Sequence, residues 1–130
     1  MPVKMTQPVV LEPIDAPAVA AAQAAALPDE ILQLMVGLFS ALADPTRARI
    51  LYALAERPLC VRDLAILTDV SESAVSHQLR FLRDRRLVKP SRAGTVIRYA
   101  LDDHHVAALF REAGYHADHV RRGLPDHPYP

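Results

Sequence analysis

The chain has 130 residues, of which 51% are hydrophobic, and its 15 basic and 15 acidic side chains cancel to a formal net charge of zero. This length suits one small domain with tails, and the neutral total argues against a protein that is basic over its whole surface. Cys60 is the single cysteine, which excludes a disulfide within the chain, and no apolar run approaches the roughly 20 residues of a membrane span. Because the start of the chain also lacks a signal-peptide pattern, we expect a cytoplasmic protein.

Residues 1–27 contain four prolines and an alanine-rich run, and they lack a large apolar face. Alanine favours helix, but a short isolated helix is marginal in water, so we expect a flexible N-terminal arm with a helical tendency near its end. Helical periodicity begins at Pro28, and it predicts one folded domain over residues 28–122. A flexible, proline-rich tail is expected over residues 123–130.

The domain is expected to be mainly helical with a small β-hairpin, in the order α-α-α-α-β-β-α. Pro45 divides the first helix from the second, because proline disfavours helix before it and suits the first turn of a new one. Ser71 is a good N-cap for the fourth helix. Two β-prone segments, 87–90 and 96–101, are joined by a basic turn, and a last helix follows from about residue 104 to 122. This arrangement is typical of a winged helix-turn-helix.

Positive charge is concentrated between Ser71 and Arg98, where seven basic side chains outnumber two acidic ones. In a winged helix-turn-helix, the second helix enters a major groove of double-stranded DNA, and basic side chains on the wing hold phosphates or a minor groove. Short polar and forked side chains suit contacts with base edges. The alternative is a solvated helix face beside an ordinary hairpin. The predicted DNA-binding residues are Ser71, Ser73, Ser76, His77, Gln78 and Arg80 on the helix and Arg92 and Arg98 on the wing.

Two polar patches on the predicted last helix are candidate metal ligands. Asp103 and His105 lie at its start, and His116 and His119 lie near its end, with His116 eleven positions after His105. At about 1.5 Å of rise per residue these two histidines stand roughly 16 Å apart, whereas zinc-bound nitrogens lie about 2.0 to 2.1 Å from the ion. An antiparallel partner helix removes this difficulty. The spacing therefore predicts a homodimer with two equivalent metal sites shared between the subunits.

Three segments of the chain resemble a known family. They lie at residues 42–51, 59–65 and 70–82, with the sequences LADPTRARIL, LCVRDLA and VSESAVSHQLRFL. Over residues 29–120 the chain resembles the ArsR/SmtB family of winged-helix metal-sensing repressors. The resemblance implies a homodimer that binds operator DNA in its metal-free form and leaves it when metal binds, which relieves repression of efflux or sequestration genes.

One branch of that family binds zinc or cobalt between paired C-terminal helices, through Asp-x-His and, ten residues later, His-x-x-His or His-x-x-Glu. The resemblance implies Asp103, His105, His116 and His119 as ligands. Three imidazoles and one carboxylate complete a closed four-coordinate shell, which suits sensing and not hydrolysis. Zinc is the expected effector, with cobalt and nickel as alternatives because imidazole also suits these ions. Asp103 and His105 would diverge on a regular helix, so we expect Asp103 at the helix cap.

A second family site is usually built from cysteines at the start of the third helix together with a cysteine or histidine from the N-terminal arm. Cys60 occupies the expected place, but position 62 is arginine, and residues 1–59 contain neither cysteine nor histidine. One thiolate cannot make a soft-metal cage. We therefore expect Cys60 to be a small core residue, and the departure argues against thiolate sensing of arsenic, cadmium or lead.

In relatives, a liganding histidine donates its second ring N–H to a backbone carbonyl just before the wing. By position, the resemblance implies that His116 reaches the carbonyl of Arg86, which would couple the metal site to the DNA-reading surface.

Two other functional classes are compatible with the residues. The chain could be a winged-helix regulator that answers a non-metal signal or a partner, with incidental histidines. It could also be a zinc enzyme, but no His-Glu-x-x-His motif is present and the expected ligand shell has no open position for substrate.

Overall fold

The structure, a computed structural model, describes residues 10–125. The remaining parts of the expected arm and tail, residues 1–9 and 126–130, lie outside the described residues. The chain divides into two units, residues 1–35 and 36–130. The helices are α1 (Ala16–Ala25), α2 (Asp29–Leu42), α3 (Pro45–Glu56), α4 (Val61–Thr68), α5 (Glu72–Asp84) and α6 (His104–Arg122), and the strands are β1 (Leu59–Cys60), β2 (Val88–Ala93) and β3 (Val96–Leu101).

The first unit contains α1, which realises the helical tendency expected near the end of the arm. Asp15 caps this helix by accepting a hydrogen bond from the amide of Ala18, and Pro17 lies in its first turn. Every residue of α1 is exposed. Among the described residues no single helix is long and apolar enough to cross a membrane, although α1 and α2 meet that criterion together as a bent pair.

Helices α4 and α5 form the helix-turn-helix, with α3 packed against α4, and local capping explains where α3 and α5 begin. Asp44 accepts a hydrogen bond from the amide of Arg47 at 3.0 Å and Pro45 opens α3, as predicted. Ser71 caps α5 by accepting from the amide of Ala74 at 3.0 Å. Between α4 and α5 the chain turns at Asp69, whose φ of 55° lies in the left-handed region.

The core lies beneath the helix-turn-helix and is formed mostly by aliphatic side chains from α3, α4, α5 and β2, with Ala41 of α2, Leu87 and Val106 of α6. The helical periodicity of residues 61–68 predicts that Leu64, Ala65 and Leu67 face the core, but Leu67 is 60% exposed and Thr68 is buried instead. The Thr68 hydroxyl donates to the carbonyl of Leu64 at 2.7 Å, which satisfies its polar group within the helix. The fully buried side chains are Ile50, Leu51, Leu64, Val75, Leu79, Leu82 and Val88.

A three-stranded antiparallel sheet forms the wing, with the strand order β1-β3-β2. The sequence predicts only the hairpin of β2 and β3. The additional strand β1 has two residues, and it pairs Leu59 with Tyr99 and Cys60 with Arg98. The hairpin closes over a two-residue turn in which Gly94 adopts a φ of 67°, a conformation that suits glycine.

The apolar face of α2 is exposed, although its periodicity predicts burial. Ile31, Leu34 and Phe39 are 44%, 67% and 50% exposed, and Ala41 is the buried residue of this helix. The helix is amphipathic, and part of its apolar face is exposed. An exposed apolar face of this kind is typical of a protein–protein interface.

Candidate DNA interface and metal centre

The outer face of α5 carries most of the predicted DNA-reading side chains. Ser73, Ser76, His77 and Arg80 are all exposed and recur at helical spacing. Ser71 is also exposed, but its hydroxyl oxygen accepts the capping hydrogen bond. The structure thus places a polar and basic surface on the second helix of the helix-turn-helix, where major-groove contacts are made.

Gln78 differs from the other predicted contact residues on α5, because it is half-buried and already has a partner within the chain. Its side-chain oxygen Oε1 accepts a hydrogen bond from Nη1 of Arg47 at 3.4 Å. Sequence patterns did not single out Arg47. The Asp-Pro-Thr-Arg motif identifies the turn before α3, but only the tertiary structure brings its arginine to α5.

The two predicted wing arginines lie on opposite faces of the hairpin. Arg92 pairs with Ile97 across β2 and β3, whereas Arg98 pairs with Ser91. Side chains of successive positions in a strand point to opposite faces, so the faces of Arg92 and Arg98 differ. Both residues are exposed. They can therefore contact one DNA molecule only if it meets both sides of the wing.

At the start of α6, Asp103 has the capping position expected from the sequence. Its Oδ1 accepts hydrogen bonds from the amides of His105 at 2.9 Å and Val106 at 3.1 Å. The Val106 amide holds the pKa of the Asp103 carboxyl below its usual value, and the His105 amide acts in the same direction. Both cap bonds use the same oxygen, so the cap does not use Oδ2.

Asp103 and His105 also lie close enough to contact one ion. Nδ1 of His105 is 3.6 Å from Oδ1 of Asp103. Two ligand atoms on a tetrahedral zinc ion, each about 2.1 Å from the metal, are separated by about 3.4 Å. The spacing and the chemistry of this pair fit half of a zinc or cobalt shell.

The end of α6 brings together the second predicted pair. His116 is exposed, His119 is buried, and both line a cleft of about 630 Å³ together with Val120, Gly123 and Leu124. The residues lie three positions apart on one helix, so their side chains project from the same face. This arrangement suits two imidazole ligands to one ion.

Asp118 lies between the two histidines in sequence but is engaged elsewhere. Its oxygens accept hydrogen bonds from Arg121 at 2.6 Å and Arg122 at 3.1 Å. The Arg122 and Arg121 side chains lower the pKa of this carboxyl. Asp118 is therefore paired with arginines of its own helix. The candidate metal ligands that line the cleft are His116 and His119.

Within residues 10–125 of one chain, no three side chains of His, Cys, Asp or Glu gather closely enough to hold a metal ion. The Asp103 pair and the His116 pair occupy opposite ends of the single helix α6, which matches the predicted helix. Each pair alone is an incomplete shell. The assignment of these four residues as ligands stays a prediction.

Arg86, the predicted coupling partner of His116, lies in the joint between α5 and β2. Its φ of 59° is in the left-handed region, and its amide donates to the carbonyl of Arg83 at 2.9 Å. A non-glycine residue in this conformation ends α5 sharply and starts the wing. The link between His116 and the Arg86 carbonyl stays a prediction.

Cys60 lies half-buried in β1, immediately before α4, and is a free thiol. Arg62, which stands where a second thiolate would be needed, is exposed and lies 3.7 Å from Glu72. Neither Arg62 nor Glu72 is a soft-metal ligand.

Comparison with known proteins places the fold in a family. The family model described as "Bacterial regulatory protein, arsR family" matches residues 44–89. The transcriptional repressor SmtB homolog of Synechocystis is 56% identical over 89 residues, covering 68% of this chain, and the chain spans 65% of that protein's length. The HTH-type transcriptional regulator NmtR of Mycobacterium tuberculosis is 53% identical over 89 residues, covering 68% of this chain and 74% of NmtR. The chain belongs to the ArsR/SmtB family of metal-sensing repressors.

A solved structure supports the same assignment for the fold of this ArsR/SmtB protein. The homodimeric winged helix-turn-helix DNA-binding domain from Mycobacterium bovis superposes with a TM-score of 0.69 at 28% identity, covering 77% of this chain and 93% of that one. The predicted winged helix-turn-helix and the predicted repressor class are confirmed. The relatives are transcriptional regulators, which disfavours the zinc-enzyme alternative.

Proposed function

We propose that this ArsR/SmtB protein is a zinc-responsive or cobalt-responsive repressor whose metal-free homodimer binds operator DNA and releases it when two shared sites are filled. Each site would combine Asp103 and His105 of one subunit with His116 and His119 of the other. The single observation that carries this proposal is the distribution of the donors. They form two incomplete pairs at opposite ends of the continuous helix α6.

The exposed face of α2 supports the dimer on which this site depends. Ile31, Leu34 and Phe39 would lose much of their exposed surface against a second copy. Burial of apolar surface contributes about 25 cal/mol per Å², so such a face is a strong driver of association. The Mycobacterium bovis relative is a homodimer by description.

The DNA-reading step follows from the position of α5 in a dimer. Two recognition helices dock in successive major grooves only when they stand about 34 to 36 Å apart. Ser73, Ser76, His77 and Arg80 would then contact bases or phosphates in each half-site. A bound ion would tie the two α6 helices together and so favour one relative position of the subunits.

The coupling path runs from α6 to the end of α5. His116 would donate its second ring N–H to the carbonyl of Arg86, at the joint where α5 ends and the wing begins. Through this link, metal binding would change the position of the recognition helix α5.

Titration of operator binding with metal tests the proposal. A DNA duplex selected by the metal-free protein from a random-sequence pool serves as the probe, and anisotropy is measured at fixed salt because phosphate contacts make affinity strongly salt-dependent. We expect zinc or cobalt to weaken binding by about 5-fold to 150-fold, the usual range of allosteric coupling. DNA should weaken metal binding by the same factor.

Unchanged DNA affinity with zinc, cobalt, nickel and chelator would contradict the metal-sensing proposal and favour a non-metal signal.

The same assay also tests the proposed link between His116 and the carbonyl of Arg86. A His116 variant that still binds zinc but lacks the second N–H should stay on DNA when zinc is added. Release of DNA by that zinc-loaded variant would refute the link to Arg86.

A further inference from the structure

Arg47 joins the start of α3 to the recognition helix α5 through several contacts. Its Nε donates to the carbonyl of Ala41 at 2.6 Å, and its Nη1 donates to Oε1 of Gln78 at 3.4 Å. Its guanidinium carbon also lies 4.3 Å from the ring centre of Phe81. Because the Ala41 bond anchors one edge of the guanidinium, the other contacts hold α5 at two positions, three residues apart on one face.

Phe81 is held by a second cation. The guanidinium of Arg85 lies 3.5 Å from the same ring centre, and its Nη1 donates to the Phe81 carbonyl at 3.2 Å. Phe81 is half-buried at the edge of the core. Contacts between a guanidinium and an aromatic face are attractive and directional, so the two arginines restrict the orientation of the Phe81 ring.

The position of Gln78 on α5 separates it from the DNA-reading face. It lies two residues from Ser76 and two residues from Arg80, which places it about 160° around the helix from each. Ser76 and Arg80 are exposed, whereas Gln78 is half-buried. The side chain therefore projects toward α3 and away from the centre of the exposed face.

The hydrogen-bonding groups of Arg47 and Gln78 also favour a role for Gln78 away from the base edges. A guanidinium has only donors, so Gln78 must turn its oxygen toward Arg47. The usual bidentate contact of glutamine with adenine needs that oxygen to accept from the adenine amino group. Arg47 thus uses one of the two lone pairs of this oxygen and directs the oxygen toward α3.

We infer that Arg47 is a positioning residue for DNA reading, and that Gln78 contributes to operator binding by receiving this contact and not by touching a base. The inference rests on the proposed function in that α5 must be the helix that reads DNA. It adds a residue of α3 to the determinants of specific binding and assigns Gln78 a different role from its exposed neighbours.

Two substitutions of Gln78 distinguish positioning from base contact. Gln78→Glu keeps an oxygen acceptor for Arg47 and should keep the wild-type ratio of selected-duplex to non-specific-duplex affinity within about 3-fold, although its added negative charge lowers both affinities, whereas Gln78→Ala should weaken specific binding about 5-fold to 10-fold. The loss in Gln78→Ala should be uniform over a panel of duplexes that each carry one changed base pair. The affinity of Gln78→Ala for a non-specific duplex should equal that of the wild type.

Arg47→Met should weaken specific binding about tenfold, because it removes all three contacts, and its effect should not add to that of Gln78→Ala. Arg49→Met is the matched control, since Arg49 is an exposed arginine on the same helix. It should bind as wild type does. Circular dichroism melting identifies a variant that fails to fold, and the Gln78 pair decides the question if Arg47→Met is such a variant.

Loss of discrimination at one base pair in Gln78→Ala, or a changed base preference in Gln78→Glu, would overturn the inference. So would additive effects of Arg47→Met and Gln78→Ala. Wild-type protein is measured on every duplex as the reference. If wild type does not prefer the selected duplex to random DNA, the proposed function fails; if it does, only the role of Arg47 and Gln78 is at stake.

Discussion

Asp103 has one observed role, as the helix cap, and one proposed role, as a metal ligand, and the two can be separated experimentally. Its Oδ1 accepts the two amide hydrogen bonds that start α6, and the same side chain is the one carboxylate of the proposed ligand set. The sequence predicts both roles, because Asp103 and His105 could share an ion only if Asp103 lay at the helix end. In this proposal, the start of α6 and the binding of metal both depend on the carboxylate of Asp103.

Replacing Asp103 with asparagine or alanine should separate the two roles. Asparagine is as good an N-cap as aspartate, so Asp103→Asn should keep the urea unfolding midpoint of the wild type, whereas Asp103→Ala should lower it. Both variants lose the anionic oxygen. Because removal of outer-shell partners alone costs about 10-fold to 100-fold in metal affinity, both should lose at least about 100-fold in zinc affinity by calorimetry.

His104→Ala is the control for this experiment. His104 is exposed and adjacent to His105, but it lies outside the proposed ligand set. Its zinc affinity should equal that of the wild type. Normal zinc binding by Asp103→Asn, or a loss in His104→Ala equal to that in a His105 variant, would contradict the ligand assignment.

At the scale of elements, capping residues explain why the sequence predicts most helix boundaries. Asp44 and Pro45, Ser71, and Asp103 each mark a start that the structure reproduces. The two-residue strand β1 could not be predicted, because it is too short to show an alternating pattern and exists only through its pairing with β3. Similarly, the contact of Arg47 with Gln78 joins residues 31 positions apart and has no local signal.

Gly114 within α6 and Gly123 at its C-cap should respond to alanine in opposite ways. A Cβ at Gly114 would lie 3.5 Å from Cε2 of Tyr52, an ordinary van der Waals contact, so Gly114→Ala should stabilise the helix by about 0.5 to 1 kcal/mol. Gly123 caps the same helix with a φ of 64°. Its left-handed conformation should make Gly123→Ala destabilising by about 1 to 2 kcal/mol.

Urea unfolding at fixed protein concentration measures both changes, because the unfolding of a dimer depends on concentration. Destabilisation by Gly114→Ala would show that another surface approaches this glycine more closely than Tyr52 does. A neutral Gly123→Ala would mean that the end of α6 does not need the left-handed cap.

At the scale of the whole molecule, the sequence predicts a dimer from the distance between two ligand pairs, and the structure adds the exposed face of α2. The periodicity of Ile31, Leu34 and Phe39 predicts an apolar face but does not say what covers it. In the structure these three side chains are exposed, and an exposed apolar face is typical of a protein–protein interface. The predicted spacing of the ligand pairs and the exposed face of α2 are thus two separate arguments for the proposed dimer.

Mixing two defective subunits tests the shared site most directly. One subunit carries Asp103→Asn with His105→Gln, and the other carries His116→Ala with His119→Ala. Each homodimer lacks half of both sites, so neither should bind zinc tightly. In the heterodimer, isolated with two different affinity tags, the intact pairs meet at one of the two sites.

We expect one tightly bound zinc ion per heterodimer and none in either parent homodimer, measured by metal analysis after exhaustive buffer exchange. A heterodimer without zinc, or a parent homodimer that binds zinc as the wild type does, would contradict this expectation.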